Sequence, residues 1–235
     1  MTLSYVFPPV APVGLPVADS PDLFPVRRVY CVGRNYAAHA REMGFDPTRE
    51  APFFFCKPND DASVVPAAAG QTVDIAYPSR TENYHFEIEL VVAIGKGGRD
   101  IGVGQAAEHI FGYAVGLDMT RRDLQLRMRE QGRPWEIGKA FDYSAPVGPL
   151  RRAAAEVLER GAISLEVDGS VKQSSDLTHL IWSVSETIAT LSTLFELQPG
   201  DLIFTGTPEG VGAVTRGQTL VGKIDGLADL SVRIV

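Results

Sequence analysis

Residues 84–94, with the sequence YHFEIELVVAI, constrain the fold more than any other part of this chain. Their first half alternates between apolar and polar residues, which predicts a β-strand with Glu87 and Glu89 on the same face. Their second half is apolar at every position, which is typical of a strand that is buried on both faces. The sequence therefore predicts a central strand that carries two carboxylates to the edge of a buried region.

The two glutamates indicate a site for a divalent metal ion. Carboxylates in such a place repel each other and lose several kcal/mol of hydration unless a cation lies between them. Mg²⁺ prefers carboxylate and water oxygens as ligands. Asp118, at the end of the apolar segment FGYAVGLD, is the best candidate for a third ligand. Each acid alone has a plainer interpretation, a solvated strand face or a helix N-terminal residue, but the three together favour the metal.

Two further segments contain candidate catalytic residues. His39 and Glu42 lie three residues apart on a predicted short helix (residues 36–43, capped by Asn35), so that they share a face. A carboxylate at this spacing can orient an imidazole that removes a proton from water, although the spacing fits a surface ion pair equally well. Lys139, in EIGKAFD, is a candidate for stabilising an oxyanion, or else a surface lysine whose stem covers apolar neighbours.

The remaining candidates would contact an anionic ligand. Residues 205–212, TGTPEGVG, form a turn-rich loop with hydroxyls and backbone N–H groups that suit an anion. The loop lacks the Lys-Ser/Thr pair of a nucleotide-binding loop, which argues against that function. Arg121 and Arg122 follow Asp118 and have two interpretations, a bidentate clamp for a substrate carboxylate or solvated helix charges.

Local signals elsewhere predict a strand-rich α+β fold with a few short helices. The predicted motifs are a hairpin turn at Asp168-Gly169 and helix capping boxes at Thr120/Asp123 and Ser183/Glu186. Strands and helices do not alternate regularly, which argues against a doubly wound sheet. We expect a Pro-rich N-terminal arm (residues 1–25) followed by a single catalytic domain (residues 26–235).

Composition excludes some classes of partner. The formal net charge of −7 argues against nucleic acid as a general ligand, since binding to its backbone needs a basic face. No apolar run approaches the roughly 20 residues of a membrane span, and the N-terminus lacks the features of a signal peptide. The two cysteines lack the spacing of a zinc or redox motif, so we expect a reduced, cytoplasmic protein.

Several segments, taken in order, resemble the fumarylacetoacetate hydrolase family. They are CVGRNYAAHAREMG, FFFCKP, YHFEIELVVAIG, GYAVGLDMTRRDLQ, GKAFD and PGDLIFTGTPEGVG. The resemblance implies mixed β-sheets packed as a β-roll, usually in a homodimer, and one Mg²⁺ or Mn²⁺ ion on Glu87, Glu89 and Asp118.

The resemblance also assigns roles to the other candidates. It makes His39 and Glu42 a water-activating dyad and Lys139 an electrostatic stabiliser, and it makes Arg122 and Thr207 substrate contacts. The sequence departs from many relatives at Phe86, where they have a second histidine. We expect the Phe86 side chain to point away from the acids.

Within the family, the chain is similar to the small single-domain acylpyruvases and bacterial fumarylpyruvate hydrolases. The implied function is metal-dependent hydrolysis of the carbon–carbon bond of a 2,4-dioxo acid, with fumarylpyruvate giving fumarate and pyruvate in gentisate-type aromatic catabolism. The alternatives are an oxaloacetate decarboxylase or keto-acid tautomerase on the same metal and, more distantly, a non-catalytic ion-binding module. The preferred acyl group depends on residues 43–49 and on the far side of the pocket, and the sequence does not give it.

Overall fold

The computed structural model describes residues 4–42, 50–154 and 156–235. Within these ranges the strands form four sheets. An N-terminal hairpin consists of β1 (Gly14–Pro16) and β2 (Leu23–Pro25). The large sheet contains β3 (Arg28–Gly33), β4 (Phe53–Lys57), β5 (Val64–Pro66), β8 (Ile88–Ile94), β9 (Ile110–Leu117), β11 (Ala145–Val147), β12 (Arg151–Arg152) and β15 (Asp201–Phe204).

The second sheet contains β6 (Thr72–Ile75), β13 (Ala162–Val167), β14 (Ser170–Asp176), β17 (Thr219–Ile224) and β18 (Leu230–Ile234). A small sheet joins β7 (Tyr84–Phe86), β10 (Thr120–Arg121) and β16 (Gly212–Ala213). The α-helices are α1 (Ala37–Glu42), α2 (Arg122–Glu130), α3 (Glu136–Lys139) and α4 (Val184–Leu194). Two short 3₁₀ helices span Val103–His109 and Leu177–His179. Across the described ranges, every helix is too short or too polar to cross a bilayer.

The large sheet is mixed, and β8 lies near its centre. The strand order is β4-β3-β15-β8-β9-β11-β5, with β12 paired to β9. The pairs β3–β15 and β5–β11 are parallel, whereas β8 pairs antiparallel with both of its neighbours. The prediction of a strand-rich fold of packed mixed sheets is confirmed.

Strand β8 is buried on both faces because it separates two hydrophobic cores. Leu90 and Val92 belong to a core that also contains apolar residues of the second sheet and of α4. Val91 and Ala93 belong to another core, which the N-terminal hairpin covers. Alternate residues therefore face different apolar regions, and the whole run must be apolar. This confirms the prediction of a central strand.

The N-terminal segment divides into an exposed part and a part that packs on the large sheet. Phe7 is 74% exposed. Leu15 and Phe24, on the two strands of the hairpin, are buried in the second core, and the Phe24 ring lies 4.9 Å from that of Phe111. The boundary between arm and domain at residue 25 stays a prediction, but the residues of the hairpin contribute to the core.

Two of the predicted local motifs are confirmed. Asp168 and Gly169 both have positive φ, 48° and 77°, as a two-residue type I′ turn requires between β13 and β14. The reciprocal capping box of Ser183 and Glu186 begins α4.

Two predicted helix caps are wrong, because their side chains bind elsewhere. Helix α2 has Arg121 at its N-cap and no side-chain cap. The Thr120 hydroxyl donates to the Glu87 side chain instead, and Asp123 accepts a hydrogen bond from Thr81 (2.6 Å). Asn35 does not cap α1 with its carboxamide oxygen, which accepts a hydrogen bond from the Trp182 N–H (2.7 Å). The residues after Glu42 in the predicted helix lie outside the described residues.

The packing of the hairpin predicts that Phe24→Ala destabilises the protein strongly. Removal of this buried ring should leave a cavity and lower the free energy of unfolding by about 3 kcal/mol or more. Phe7→Ala is the matched control, since its ring is exposed and should give no measurable change. Chemical denaturation measures both, and equal stability of the two variants would show that the hairpin does not contribute to the core.

Candidate functional site

The three predicted acids meet where two neighbouring strands leave the large sheet. Glu87 lies between β7 and β8, Glu89 lies on β8, and Asp118 directly follows β9. The paired strands β8 and β9 continue into the small sheet, and the Asp118 N–H donates to the Glu87 carbonyl (2.9 Å). One carboxylate oxygen from each acid lies within 4.8 Å of the others, and all three residues are buried. The structure therefore brings the predicted acids together.

Cationic side chains surround this cluster. Lys139 Nζ donates to Glu87 Oε2 (2.9 Å) and to Asp118 Oδ2 (2.7 Å). Arg122 forms an ion pair with Glu87. The Lys57 ammonium, also buried, lies 2.8 Å from Asp118 Oδ1 and donates to the backbone carbonyl of Lys139.

The surrounding charges make the acids unequal. Burial by itself favours protonation of Glu87, but Lys139 and Arg122 outweigh it and lower the pKa of Glu87 below its ordinary value. Burial, reinforced by Asp118 and Glu87, raises the pKa of Glu89 well above its ordinary value. Burial opposes the charge of Lys139, yet Asp118 and Glu87 raise the pKa of Lys139. Positive charge is thus least sufficient around Glu89.

The cluster fits a divalent cation. Within the described part of the chain Glu89 has no ion pair, and Glu89 Oε2 accepts a hydrogen bond from the Gly206 N–H (2.7 Å). Asp118 Oδ1, despite its contact with Lys57, lacks a well-directed hydrogen bond among the described residues. Carboxylate oxygens that are buried and short of partners form the donor set that Mg²⁺ and Mn²⁺ prefer. The cation would supply the charge that Glu89 lacks.

A cavity opens beside the acids. The predicted site residues that line it are His39, Glu87, Glu89, Asp118, Arg122, Lys139 and Thr207, whereas Glu42 and Arg121 do not. Gln125, Arg129, Phe55 and Trp135 also line it. The predicted residues therefore share one concave site.

The predicted dyad has the geometry of an oriented imidazole. His39 Nδ1 lies 3.2 Å from Glu42 Oε2, and His39 is buried against the cavity. When Nδ1 carries the ring proton, its N–H donates a hydrogen bond to Glu42, and Nε2 is left as an acceptor. Glu42 also accepts a hydrogen bond from the Gly210 N–H (3.2 Å), which fixes the carboxylate behind the ring. The role of the pair in proton transfer stays a prediction.

The loop at residues 205–212, which we call the glycine-rich loop, binds carboxylates through its backbone N–H groups. In this structure these carboxylates are side chains of the protein itself. The N–H groups of Gly206 and Gly210 donate to Glu89 and Glu42. Gly206 has φ of 99°, and a Cβ there would lie 2.7 Å from Cβ of Asn35, so the position requires glycine. Thr207 lines the cavity, and its hydroxyl accepts a hydrogen bond from Gln173 (2.9 Å).

The neighbouring arginines, histidine and phenylalanine have different surroundings. The Arg121 guanidinium packs over the Phe141 ring, 4.3 Å from its centroid, whereas Arg122 reaches Glu87. Burial, together with Arg122, lowers the pKa of His85 to about 4, so His85 is neutral at pH 7. Phe86 is buried in the same core as Leu90 and Val92, as expected for a side chain that points away from the acids.

Sequence reasoning missed several buried polar residues of the site, among them Thr120, Lys57, Gln173 and Gln125. Thr120 accepts a hydrogen bond from Lys139 (2.7 Å) and donates to Glu87, but its position before a helix suggested a cap. The sequence does contain a signal for Lys57, because this lysine ends the apolar strand FFFCK. Gln173, which accepts from the Ile88 N–H (3.0 Å), lies on a hairpin strand with no local signal.

Comparisons with known proteins identify the family of the chain. The family described as fumarylacetoacetate (FAA) hydrolase C-terminal matches residues 28–235. The chain is 50% identical over 189 residues to a fumarylpyruvate hydrolase of Ralstonia sp, with 80% of this chain and 95% of that protein covered. It is 38% identical over 205 residues to an oxaloacetate tautomerase of Escherichia coli (strain K12), with 86% and 90% covered.

Solved structures give the same family. The crystal structure of fumarylpyruvate hydrolase from Pseudomonas aeruginosa in complex with Mn²⁺ and pyruvate matches with a TM-score of 0.96 at 67% identity, and 99% of each chain is covered. Fold and site together define a strand-rich enzyme of the fumarylacetoacetate hydrolase type. The chain belongs to the fumarylacetoacetate hydrolase family.

The contacts of Lys57 predict that Lys57→Met destabilises the metal-free protein. The substitution removes the cation beside Asp118 Oδ1 and the donor to the backbone carbonyl of Lys139, so the free energy of unfolding should fall by about 3 kcal/mol. Lys96→Met is the control, because Lys96 pairs with Glu108 at the exposed surface and should change little. Denaturant unfolding with chelator present measures both, and a stable Lys57→Met variant would contradict this account.

Proposed function

We propose that this protein is a hydrolase that cleaves the carbon–carbon bond of a 2,4-dioxo acid, with fumarylpyruvate as its substrate and fumarate and pyruvate as products. The observation that carries the proposal is that one cavity joins the carboxylate cluster to an imidazole oriented by a carboxylate. The similarity to fumarylpyruvate hydrolases supports the choice of substrate.

We infer that Glu87, Glu89 and Asp118 hold one Mg²⁺ or Mn²⁺ ion. When bound, such an ion supplies Lewis-acid polarisation of the carboxylate and 2-oxo oxygens of a keto acid. Lys139 and Arg122 keep Glu87 ionised, so this ligand is ready to bind a cation. The Mn²⁺ in the Pseudomonas aeruginosa relative supports the inference.

The residues of the chain then carry out the proton transfers. Glu42 orients His39, whose Nε2 removes a proton from a water molecule in the cavity while the water oxygen bonds to C4 of the substrate. Lys139 offsets the negative charge that develops on the C4 oxygen. When the C3–C4 bond breaks, its electron pair passes to C3, and the proton held by His39 completes pyruvate.

Arg122 and Thr207 complete the proposal as substrate contacts. Both residues line the cavity. Gln173 holds the hydroxyl of Thr207 through a hydrogen bond of 2.9 Å, which fixes its direction. Arg122 is held against Glu87, so that its guanidinium stays at the inner end of the cavity.

The setting of the reaction is part of the same proposal. The family resemblance supports a homodimer and a role in gentisate-type aromatic catabolism. A reducing, cytoplasmic location is supported by Cys31 and Cys56, which are both free thiols.

A second candidate function is tautomerisation or decarboxylation of oxaloacetate at the same carboxylate cluster. The 38% identity to an oxaloacetate tautomerase favours it. Neither reaction consumes water, so neither needs a base that activates a water molecule, which is the role proposed for His39 and Glu42. The dyad therefore favours hydrolysis.

A substrate panel tests the proposed function. Fumarylpyruvate, acetylpyruvate, fumarylacetoacetate and oxaloacetate are each supplied with Mg²⁺ or Mn²⁺ and again with chelator. We expect pyruvate release to be fastest from fumarylpyruvate and to stop with chelator. Faster CO₂ release or enol–keto conversion of oxaloacetate would favour the second function, and metal-dependent melting without turnover of any compound would leave only an ion-binding module.

Two variants test the assigned roles. His39→Ala removes the general base and should lower kcat by about 10²-fold or more, and Glu87→Ala should lose most of kcat with its metal ligand. His179→Ala is the control, because that histidine lies outside the cavity and bonds to Ser175. Steady-state kinetics with fumarylpyruvate measures all three, and full activity in either site variant refutes the role given to that residue.

A further inference from the structure

The site cavity continues into a second cavity, which we call the outer compartment. It has a volume of about 460 Å³, and its lining includes Arg34, Phe53, Arg129, Arg133 and Trp135. The two cavities share part of their lining and so adjoin along a common wall. The shared residues are Arg34, Phe55, Arg129 and Trp135. A ligand held at the acids therefore has room to extend in this direction.

Helix α2 connects the two ends of this space. Arg122 and Arg129 are separated by two helical turns, which corresponds to about 10 Å along the axis, and so lie on the same face. Gln125 lies between them on that face and lines the inner cavity. One guanidinium thus stands beside the acids, and the other stands at the boundary of the outer compartment.

The described residues of the outer compartment carry more positive than negative charge, although the protein is acidic. Among them are the guanidinium groups of Arg34, Arg129 and Arg133 and the carboxylate of Glu136. The whole chain has a formal charge of −7. Burial lowers the pKa of Arg34, Arg129 lowers it further, and Glu50 acts in the opposite direction. A ligand carboxylate in this space would lie beside two guanidinium groups.

Flat aromatic rings form the apolar part of the same wall. The rings of Phe53 and Trp135 meet edge to face with their centroids 5.3 Å apart. The Arg34 guanidinium lies over the Phe53 ring, 5.1 Å from its centroid. Aromatic faces beside cations suit a planar, conjugated group that ends in a negative charge.

We propose that the outer compartment binds the part of the acyl group farthest from the bond that is cleaved, and that Arg129 with Arg34 selects acyl groups that end in a carboxylate. This inference rests on the proposed function and adds the residues that determine its specificity. Arg129 is the better residue to test, because Arg34 has a positive φ of 56° and a substitution there also alters a strained turn.

The experiment compares three acylpyruvates that share the pyruvyl end. Fumarylpyruvate carries the distal carboxylate, pentanoylpyruvate has an uncharged acyl chain of similar length, and acetylpyruvate has a short one. The enzymes are the unmodified protein, Arg129→Gln, Arg129→Lys and the control Arg127→Gln. Arg127 is exposed on the same helix and lines neither cavity.

We expect Arg129→Gln to raise KM for fumarylpyruvate about tenfold or more, because a charge-assisted hydrogen bond to the carboxylate is lost. Its kcat/KM for pentanoylpyruvate and acetylpyruvate should stay within about twofold of the unmodified value. Arg129→Lys should recover part of the loss, and Arg127→Gln should match the unmodified protein. Inhibition by fumarate should weaken in Arg129→Gln in parallel with KM.

Two results would overturn the inference alone. One is an equal loss for all three substrates in Arg129→Gln, which would assign the residue a structural role. The other is an unchanged preference for fumarylpyruvate in that variant. If the unmodified protein with Mn²⁺ cleaved none of the three substrates, the proposed function would be refuted and the inference with it.

Discussion

The site follows from the burial of β8 on both faces. A strand between two hydrophobic cores accepts charge only near its end, so polar residues are confined to the region where it leaves the sheet. Glu87 and Glu89 lie in that region, and β9 delivers Asp118 to the same place because the two strands are paired. The fold therefore concentrates like charges in a buried region, and the surrounding structure has to neutralise them.

Neutralisation by the protein is uneven, and this unevenness defines the metal site. Lys139 and Arg122 hold Glu87 in its ionised form, and Lys57 forms an ion pair with Asp118. Glu89 receives a backbone N–H from Gly206 but, over the described ranges, no ion pair. These fixed positive charges hold the three acids in place but do not neutralise all of them. A divalent ion would supply the missing positive charge.

Periodicity and local motifs predicted those parts of the structure that depend on neighbouring residues. The central strand, the turn at Asp168-Gly169 and the capping box at Ser183 all depend on interactions over a few residues, and the structure confirms them. The three acids were predictable as a group because a buried strand with two carboxylates needs a counter-charge. The dyad geometry of His39 and Glu42 also agrees with its i, i+3 spacing.

The residues that were missed depend on contacts between distant parts of the chain. Gln173 binds the backbone of Ile88 across 85 residues, and Lys57 reaches Met119 across 62 residues. Thr120 was assigned to a helix cap because its local pattern fits one, and only the fold shows that its hydroxyl faces Lys139. The hairpin at residues 14–25 lies within the predicted Pro-rich arm. Its prolines hide the sequence pattern that would have predicted its two short strands.

Asn35 has a consequence for the order in which the molecule assembles. Its carboxamide bonds to the backbone of Trp182 and of Thr205, across 147 and 170 residues, and so joins the segment before α1 to the glycine-rich loop. Contacts of such long range carry the entropic cost of closing a large loop, and this cost slows folding. During synthesis on the ribosome, the helix that carries His39 emerges early but acquires its final anchorage only after most of the chain has been made.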